Sequence, residues 1–398
     1  MARRGRAFGT GLLIGAAAGA LWGAAERYGR QAPRQLVDWP LVCHVAGRAA
    51  GAQPSLSAPE RQARETYYRA VLERIEGPIA AYTRTHLPLQ GTAVRVLDRR
   101  EWIQANAANF QELLQPFERF YQERDQREGF GSLATAGMGR FVLSSQLGVL
   151  LGYLARRVLG QYDISLLAPE APEPGKLYFV EPNIRVLEQR LALPPDEVRT
   201  WIALHEAIHA HEFELYPWVR RYLHDTLQAY LHAMVEELAQ RRNGHAPLGG
   251  LVGRLVAGLR SGQNMLQALM TPEQRALVSR LQALMALLEG YSNHVMHQVG
   301  RQLLPHFALI EARVEQRRRQ RSPAEQWFLR ITGLNMKHEQ YVLGEQFVCA
   351  VVEARGVEFL NRVWTGPTAL PTEAELRAPH TWITRQEAPS ATVNGGHT

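Results

Sequence analysis

Apolar residues recur every four positions at Tyr67, Val71, Ile75 and Ile79, the spacing of one helix face, and predict a long helix opening near Ala58-Pro59-Glu60. A shorter helical stretch over Leu41 to Ala50 precedes it. Ala93 to Leu97 alternates between Gly91 and Asp98, which predicts a short strand, and Glu101 to Glu123 returns to helical spacing. After the glycine-rich interruption from Gly129 to Gly139, Phe141 to Leu159 is almost wholly apolar and predicts a central buried helix. Ser144, Ser145, Gln146 and Arg156-Arg157 argue against a membrane span there. A polar, proline-rich stretch from Ala168 to Gly175 leads into the strand-like run Lys176-Leu-Tyr-Phe-Val and its end at Pro182. A helix from Val186 to Leu193 follows, and then Leu-Pro-Pro-Asp at 193 to 196 marks the start of another. From Leu223 the pattern is helical nearly to Val363, with breaks at Asn243 to Gly250, Thr271-Pro272, Leu304-Pro305 and Arg321 to Pro323. The expected fold is mainly α, one large domain over residues 37–385 with a small β element and a disordered tail over 386–398.

With 398 residues and 46% hydrophobic content, the chain has ample material for a buried core, so wholesale disorder is excluded. Cys43 and Cys349 are the only cysteines, too few for a disulfide framework or a four-thiolate metal site, so any metal must use histidine and carboxylate. The net charge of +7 reduces to two short arginine clusters, Arg3 to Arg30 and Arg313 to Arg321. Neither interleaves with aromatics, so no nucleic-acid partner is expected; the second reads as a solvated helix end before Ser322-Pro323. Within the Gly/Ala-rich segment 1–36, Ala7 to Ala25 is an uncharged run of 19 residues between arginines. Three readings stay open for it: a weak membrane anchor, a cleaved signal, or a small-residue helix packed on the protein itself. The expected location is accordingly cytoplasmic or membrane-associated.

The helix that opens near Asp196 carries His205-Glu206-Ala207-Ile208-His209. Histidines four apart stand one above the other on one face, where both can reach a single ion, and Glu206 is turned about 100° away, placed to flank an open coordination position. This is the H-E-x-x-H arrangement of zinc hydrolases. Trp201, Ile202, Leu204 and Ile208 give the helix an apolar side, and His211, Glu212 and Glu214 add polar groups beyond the motif. Two solvated histidines on an amphipathic helix is the bland alternative. A catalytic zinc needs a third protein ligand. Glu289 interrupts the apolar run Met285-Ala-Leu-Leu, where a lone carboxylate is costly unless paired or metal-bound, and is the expected ligand. His294 is the rival. Asn293, on the face of Glu289, is placed to hydrogen-bond His205 or His209, and Tyr291, His294 and His297 are candidate donors to a substrate oxyanion. With this ligand set Zn²⁺ keeps a net positive charge and activates water, and Glu206 serves as the base.

Several separated stretches in fixed order then mark a resemblance: VLGQYD, VEPNI, LHEAIHAHEFELYPWVR, LLEGYSNHVM, GLNMKHEQYVLGEQFVCAVVE and RVWTGPTALPT. From about Val37 to Trp382 the chain resembles a bacterial zincin-like family of zinc-dependent metallopeptidases, linked by name to biosynthesis of the deazaflavin coenzyme. The resemblance implies a mostly helical zincin-like domain in which His205 and His209 bind zinc and Glu206 is the catalytic base. The family's downstream motif commonly reads E-G-H-A-D; here it is Glu289-Gly290-Tyr291-Ser292-Asn293, which keeps the glutamate and replaces the histidine and aspartate. An amide at Asn293 is a weaker acceptor for a zinc-bound imidazole than the family's carboxylate. Gln161-Tyr162-Asp163 is placed to tie a loop to the active-site helix. The strand before Pro182 offers either a free edge to an extended peptide or a buried central strand. Lys337, His338, Glu339 and Tyr341 read as a salt-bridged surface or as substrate contacts.

The expected activity is a zinc-dependent hydrolase acting on a peptide or protein substrate. The alternatives are a non-catalytic protein that keeps the zinc or the fold for binding, and a zinc amidase acting on a small molecule.

Overall fold

The computed structural model describes residues 35–388 apart from 54, 90, 129–132, 164–175, 243–269 and 320–336. The N-terminal run 7–25, the proline-rich stretch 168–175 and the residues after 388 lie outside the described residues, as do the side chains of 317–319 and 337–341. No helix among the described residues is long and apolar enough to cross a membrane. Contacts divide the chain into two interleaved units, Met1–Ser55 with Asp98–Val158 and Leu56–Leu97 with Leu159–Thr398, where the sequence suggests one domain over 37–385.

The first unit is helical. Asp38 caps helix α1 (Trp39–Ala49) by accepting from the Leu41 amide, and Pro40 sits in the first turn, where a missing N–H is harmless. Asp98 and Glu101 form a capping box at the start of α3 (Arg99–Leu113). The expected single helix over 101–123 breaks at Leu114, and α4 (Gln115–Glu128) restarts with Pro116 in its first turn. The apolar stretch expected to form a central buried helix is α5 (Leu133–Ala155). It lies close along α1: a Cβ on Gly148 would come within 2.7 Å of Val45, and one on Gly152 within 2.6 Å of Ala49. Its other side is open, with Val142 and Val149 exposed, so the helix is half-buried rather than central.

The second unit holds the main core. Ser57 caps α2 (Ala58–Thr83), which buries Tyr68, Val71, Leu72, Ile75 and Ile79, the predicted stripe shifted by one residue at its start. The strands β1 (Ala93–Leu97), β2 (Gly160–Tyr162) and β3 (Lys176–Val180) form a sheet of order β1-β3-β2, with β1 parallel and β2 antiparallel to β3. The strand before Pro182 is therefore the buried centre of the sheet, and β2 is an edge. Pro182 itself belongs to α6 (Glu181–Leu191), which ends at Ala192 in the left-handed region, φ 48°. Pro195, Asp196 and Glu197 open α7 (Pro195–Glu214), where a proline lacks no needed N–H and the acids favour the positive helix end. Two long helices follow, α8 (Pro217–Arg242) and α9 (Pro272–Leu303), the latter with a Thr271–Gln274 capping box. α10 (Phe307–Arg319), α11 (Lys337–Arg355) and a C-terminal series of short helices ending at Glu387 complete the unit, so the chain stays helical two residues past Arg385.

Three features lock the second unit around α7 and α9. Fully buried Glu181 receives Arg199 through two bonds of 2.8 and 2.9 Å; Arg199 also donates to the Tyr68 hydroxyl at 3.0 Å and to Glu188 Oε2 at 3.2 Å. Each buried charge thus has a partner, which ties the N-terminal end of α7 to α6 and α2. Gly290 of α9 meets Gly344 of α11 backbone to backbone, and a methyl group on Gly344 would overlap the Ala286 carbonyl. His297 of α9 bridges Glu311 of α10 at 2.5 Å and Glu345 of α11 at 3.2 Å.

Two outcomes follow from these contacts. Gly344→Ala should lower stability by about 1–3 kcal/mol through forced separation of α9 and α11, read as a fall in Tm; an unchanged Tm would show that the crossing yields freely. The hydrogen bond from His297 to Glu311 and the two carboxylate charges hold the imidazole pKa above its usual value against burial. Its stabilising effect is then fully present below about pH 6.5 and lost as pH rises through the folded-state value. The Tm difference between wild type and His297→Gln should shrink towards alkaline pH, and growth of that difference would refute the bridge.

Candidate metal centre

α7 places His205 and His209 on one face because four residues advance the helix by about one turn. Their Nε2 atoms lie 3.2 Å apart, with the rings edge-on at 80°. Two zinc–nitrogen bonds of about 2.0–2.1 Å at a tetrahedral angle separate the nitrogens by about 3.4 Å, so the pair is spaced for a shared ion. From α9, Glu289 brings a carboxylate oxygen to the same point: one donor atom from each of His205, His209 and Glu289 falls within 4.8 Å of the others, and all three side chains are part-buried. No fourth His, Cys, Asp or Glu among the described residues joins this group.

The surrounding bonds aim the ring nitrogens. Nδ1 of His209 donates to Glu212 Oε2 at 2.7 Å, and Ser292 Oγ lies 3.2 Å from the same nitrogen and donates to Glu212 Oε1 at 3.4 Å. With Nδ1 committed to Glu212, Nε2 is the nitrogen that faces the centre and would give up its proton on binding a metal. His205 turns its Nδ1 towards Met296 Sδ at 3.2 Å. The donor set, two imidazoles and one carboxylate with the open count of three, fits a divalent ion of the zinc type.

Glu206 is 7% exposed and lies against the sheet edge. Its Oε2 accepts the Tyr162 backbone N–H at 3.0 Å, a donor on the side of β2 where no strand among the described residues pairs with it. Gly160 makes the approach possible: a Cβ there would sit 2.5 Å from Glu206 Cγ and 2.7 Å from its Oε1. Burial pushes the Glu206 carboxyl up to about 7, aided by the Glu289 charge and opposed by His209 and the Tyr162 bond. Burial likewise raises Glu212 to about 7. For His209 burial works the other way, but the charge and hydrogen bond of Glu212 outweigh it, with smaller help from Glu289 and Glu206, and hold the imidazole at about 9.

The remaining sequence candidates fall elsewhere. Asn293 is half-buried and makes no hydrogen bond to either imidazole; Glu212 and Ser292 occupy that position instead. Glu212 stands three residues after His209 on the same helix, a spacing that brings the two side chains together. Tyr291 is buried and donates to Asn361 at 3.3 Å with its ring edge-on to Trp364, so its hydroxyl is committed to the core. His294 contacts the Tyr82 hydroxyl at 2.6 Å and Cys349 at 3.4 Å and stands outside the donor group; burial, with the nearby His297, lowers its pKa to about 4. His297 is held between Glu311 and Glu345. Gln161-Tyr162-Asp163 does tie to the active-site helix and its neighbour: the Tyr162 hydroxyl donates to Glu214 at 2.5 Å and Arg220 donates to Asp163 at 2.5 Å. His211 is buried and bonds the Ala207 carbonyl at 3.1 Å.

A helix-borne histidine pair, a carboxylate from a second helix and a buried glutamate beside them define a zincin-type site. The model of the zincin-like metallopeptidase family matches residues 37–383, and the chain belongs to that family. It is also similar to a crystallised protein of Chloroflexus aurantiacus, provisionally named a hydrolase with a novel fold, at 39% identity and a TM-score of 0.66. That likeness covers 89% of this chain and 99% of the other. No curated protein matches.

If Glu212 holds the His209 tautomer, Glu212→Gln should weaken zinc affinity about 10- to 100-fold without loss of helicity. Competition against a chromophoric chelator measures the affinity, and an unchanged value would remove Glu212 from the site.

Proposed function

We propose that the protein is a zinc-dependent metallopeptidase in which His205, His209 and Glu289 hold the metal and Glu206 is the general base. The observation that carries this reading is the convergence of two imidazoles from α7 and one carboxylate from α9, with Glu206 fixed beside them by the edge of β2. Zinc in such a site supplies Lewis acidity that polarises a carbonyl and makes water nucleophilic near neutral pH.

The chain's own groups handle the proton. Burial raises the proton affinity of the Glu206 carboxyl, the direction that suits a group which must both accept and return a proton. Glu206 takes the proton of the attacking water and passes it to the leaving amine nitrogen. The Tyr162 amide and the bare Cα of Gly160 hold its carboxylate in one place, so little reorganisation accompanies the transfer.

Among the described residues three donors converge rather than four, which supports an enzyme over a structural zinc protein, because a structural site closes its shell with a fourth protein ligand. Family membership favours a peptide over a small-molecule amide as substrate. The tie to deazaflavin biosynthesis comes with the resemblance in sequence and not with any residue of the site.

Metal analysis of the purified chain, together with cleavage of a mixed peptide library, tests the proposal. Wild type should carry one zinc per chain and cleave; Glu206→Gln should keep the zinc and lose about 10²- to 10⁴-fold in rate. A metal-free wild type, or a Glu206→Gln variant that cleaves as fast, would overturn it.

A further inference from the structure

The first unit contains a cavity of about 670 Å³ between the C-terminal half of α1 and the opening turns of α3, within the size range of small-molecule sites. Arg48 and His44 of α1 line it together with Arg100 and Gln104 of α3, over the buried side chain of Ile103. Among the described residues no aspartate or glutamate belongs to the lining. The guanidiniums of Arg48 and Arg100 have no hydrogen-bond or ion-pair partner among the described residues. Both side chains are exposed to solvent at the cavity. Two guanidiniums in one concavity repel each other and are both satisfied by a single multivalent anion, for which their forked donors suit phosphate oxygens.

Gly47 of α1 also lines the cavity, and a Cβ built on it meets nothing within 4 Å, so a side chain placed there would enter the cavity.

We infer that this cavity binds a small phosphorylated ligand, with Arg48 and Arg100 on the phosphate and Ile103 beneath its apolar part. The phosphate can belong to a soluble monoester or to a lipid headgroup, and the chemistry of recognition is shared.

Titration calorimetry on the full chain with inorganic phosphate and phenyl phosphate, and sedimentation with phosphatidylcholine vesicles with or without phosphatidic acid, tests this. Saturable binding is expected, tighter for phenyl phosphate than for inorganic phosphate. The double variant Arg48→Ala/Arg100→Ala should lose at least about tenfold in affinity. Gly47→Leu should lose as much by filling the cavity with both arginines intact, and Arg69→Ala, an exposed arginine of the other unit, should bind as wild type does. Circular dichroism and Tm without ligand show that each variant is folded. Binding confined to phosphatidic acid vesicles, and abolished by the same two variants, would support the site and assign it to a headgroup. Failure to bind all of these ligands, binding that survives both variants, or equal weakening by Arg69→Ala would overturn the inference.

Discussion

Backbone contact between α9 and α11 at Gly290 and Gly344 is the constraint on which the metal centre depends. Glu289 is the residue before that contact, so the height at which its carboxylate meets the α7 imidazoles is set by how deeply two helix backbones nest. With larger residues at the crossing the helices would stand apart by the width of a side chain, and the carboxylate would move with them. α7 is fixed from its other side by the buried Arg199–Glu181 pair and by the bond from Tyr162 to Glu206. The three donors therefore meet because two helices are independently immobilised, not because they attract one another.

Left to themselves, the groups at the centre are badly matched. Glu206, Glu212 and Glu289 place three carboxylates around His209, and both fully enclosed acids are raised to about 7 by the loss of water. Charge of this sign gathered in a poorly hydrated space is what a divalent cation relieves. The same burial that raises the acids increases the proton affinity of Glu206, with the Glu289 charge adding to it.

How much of this was legible in the sequence differs from residue to residue. His205, Glu206 and His209 were readable because their spacing has one helical meaning, and Glu289 because a carboxylate in an apolar run demands an explanation. β1 followed from its alternation between Gly91 and Asp98, and the starts of α2, α7 and α9 from cap residues and prolines. The contact of Glu212 with His209 was not legible in the sequence, because the same spacing serves ordinary surface pairs. The roles of Gly160, Gly344 and the Arg199–Glu181 pair were hidden: each depends on a contact between segments far apart in the chain, and a glycine carries no periodic signal. The break at Leu114 did have its mark, Pro116 in the first turn of α4, outweighed in the reading by continuous helical spacing.

The interleaving of the two units has a consequence for how the protein is made. Synthesis from the N-terminus delivers all of the first unit by Val158, before β3, α7 or α9 has been translated. β1 emerges earlier still, yet its partner β3 follows only after the whole of 98–158, so its ladder of backbone groups has to wait unpaired through that interval. A helical unit able to collapse on its own during the delay shortens the span across which β1 must find β3, and so lowers the entropy of closing the sheet.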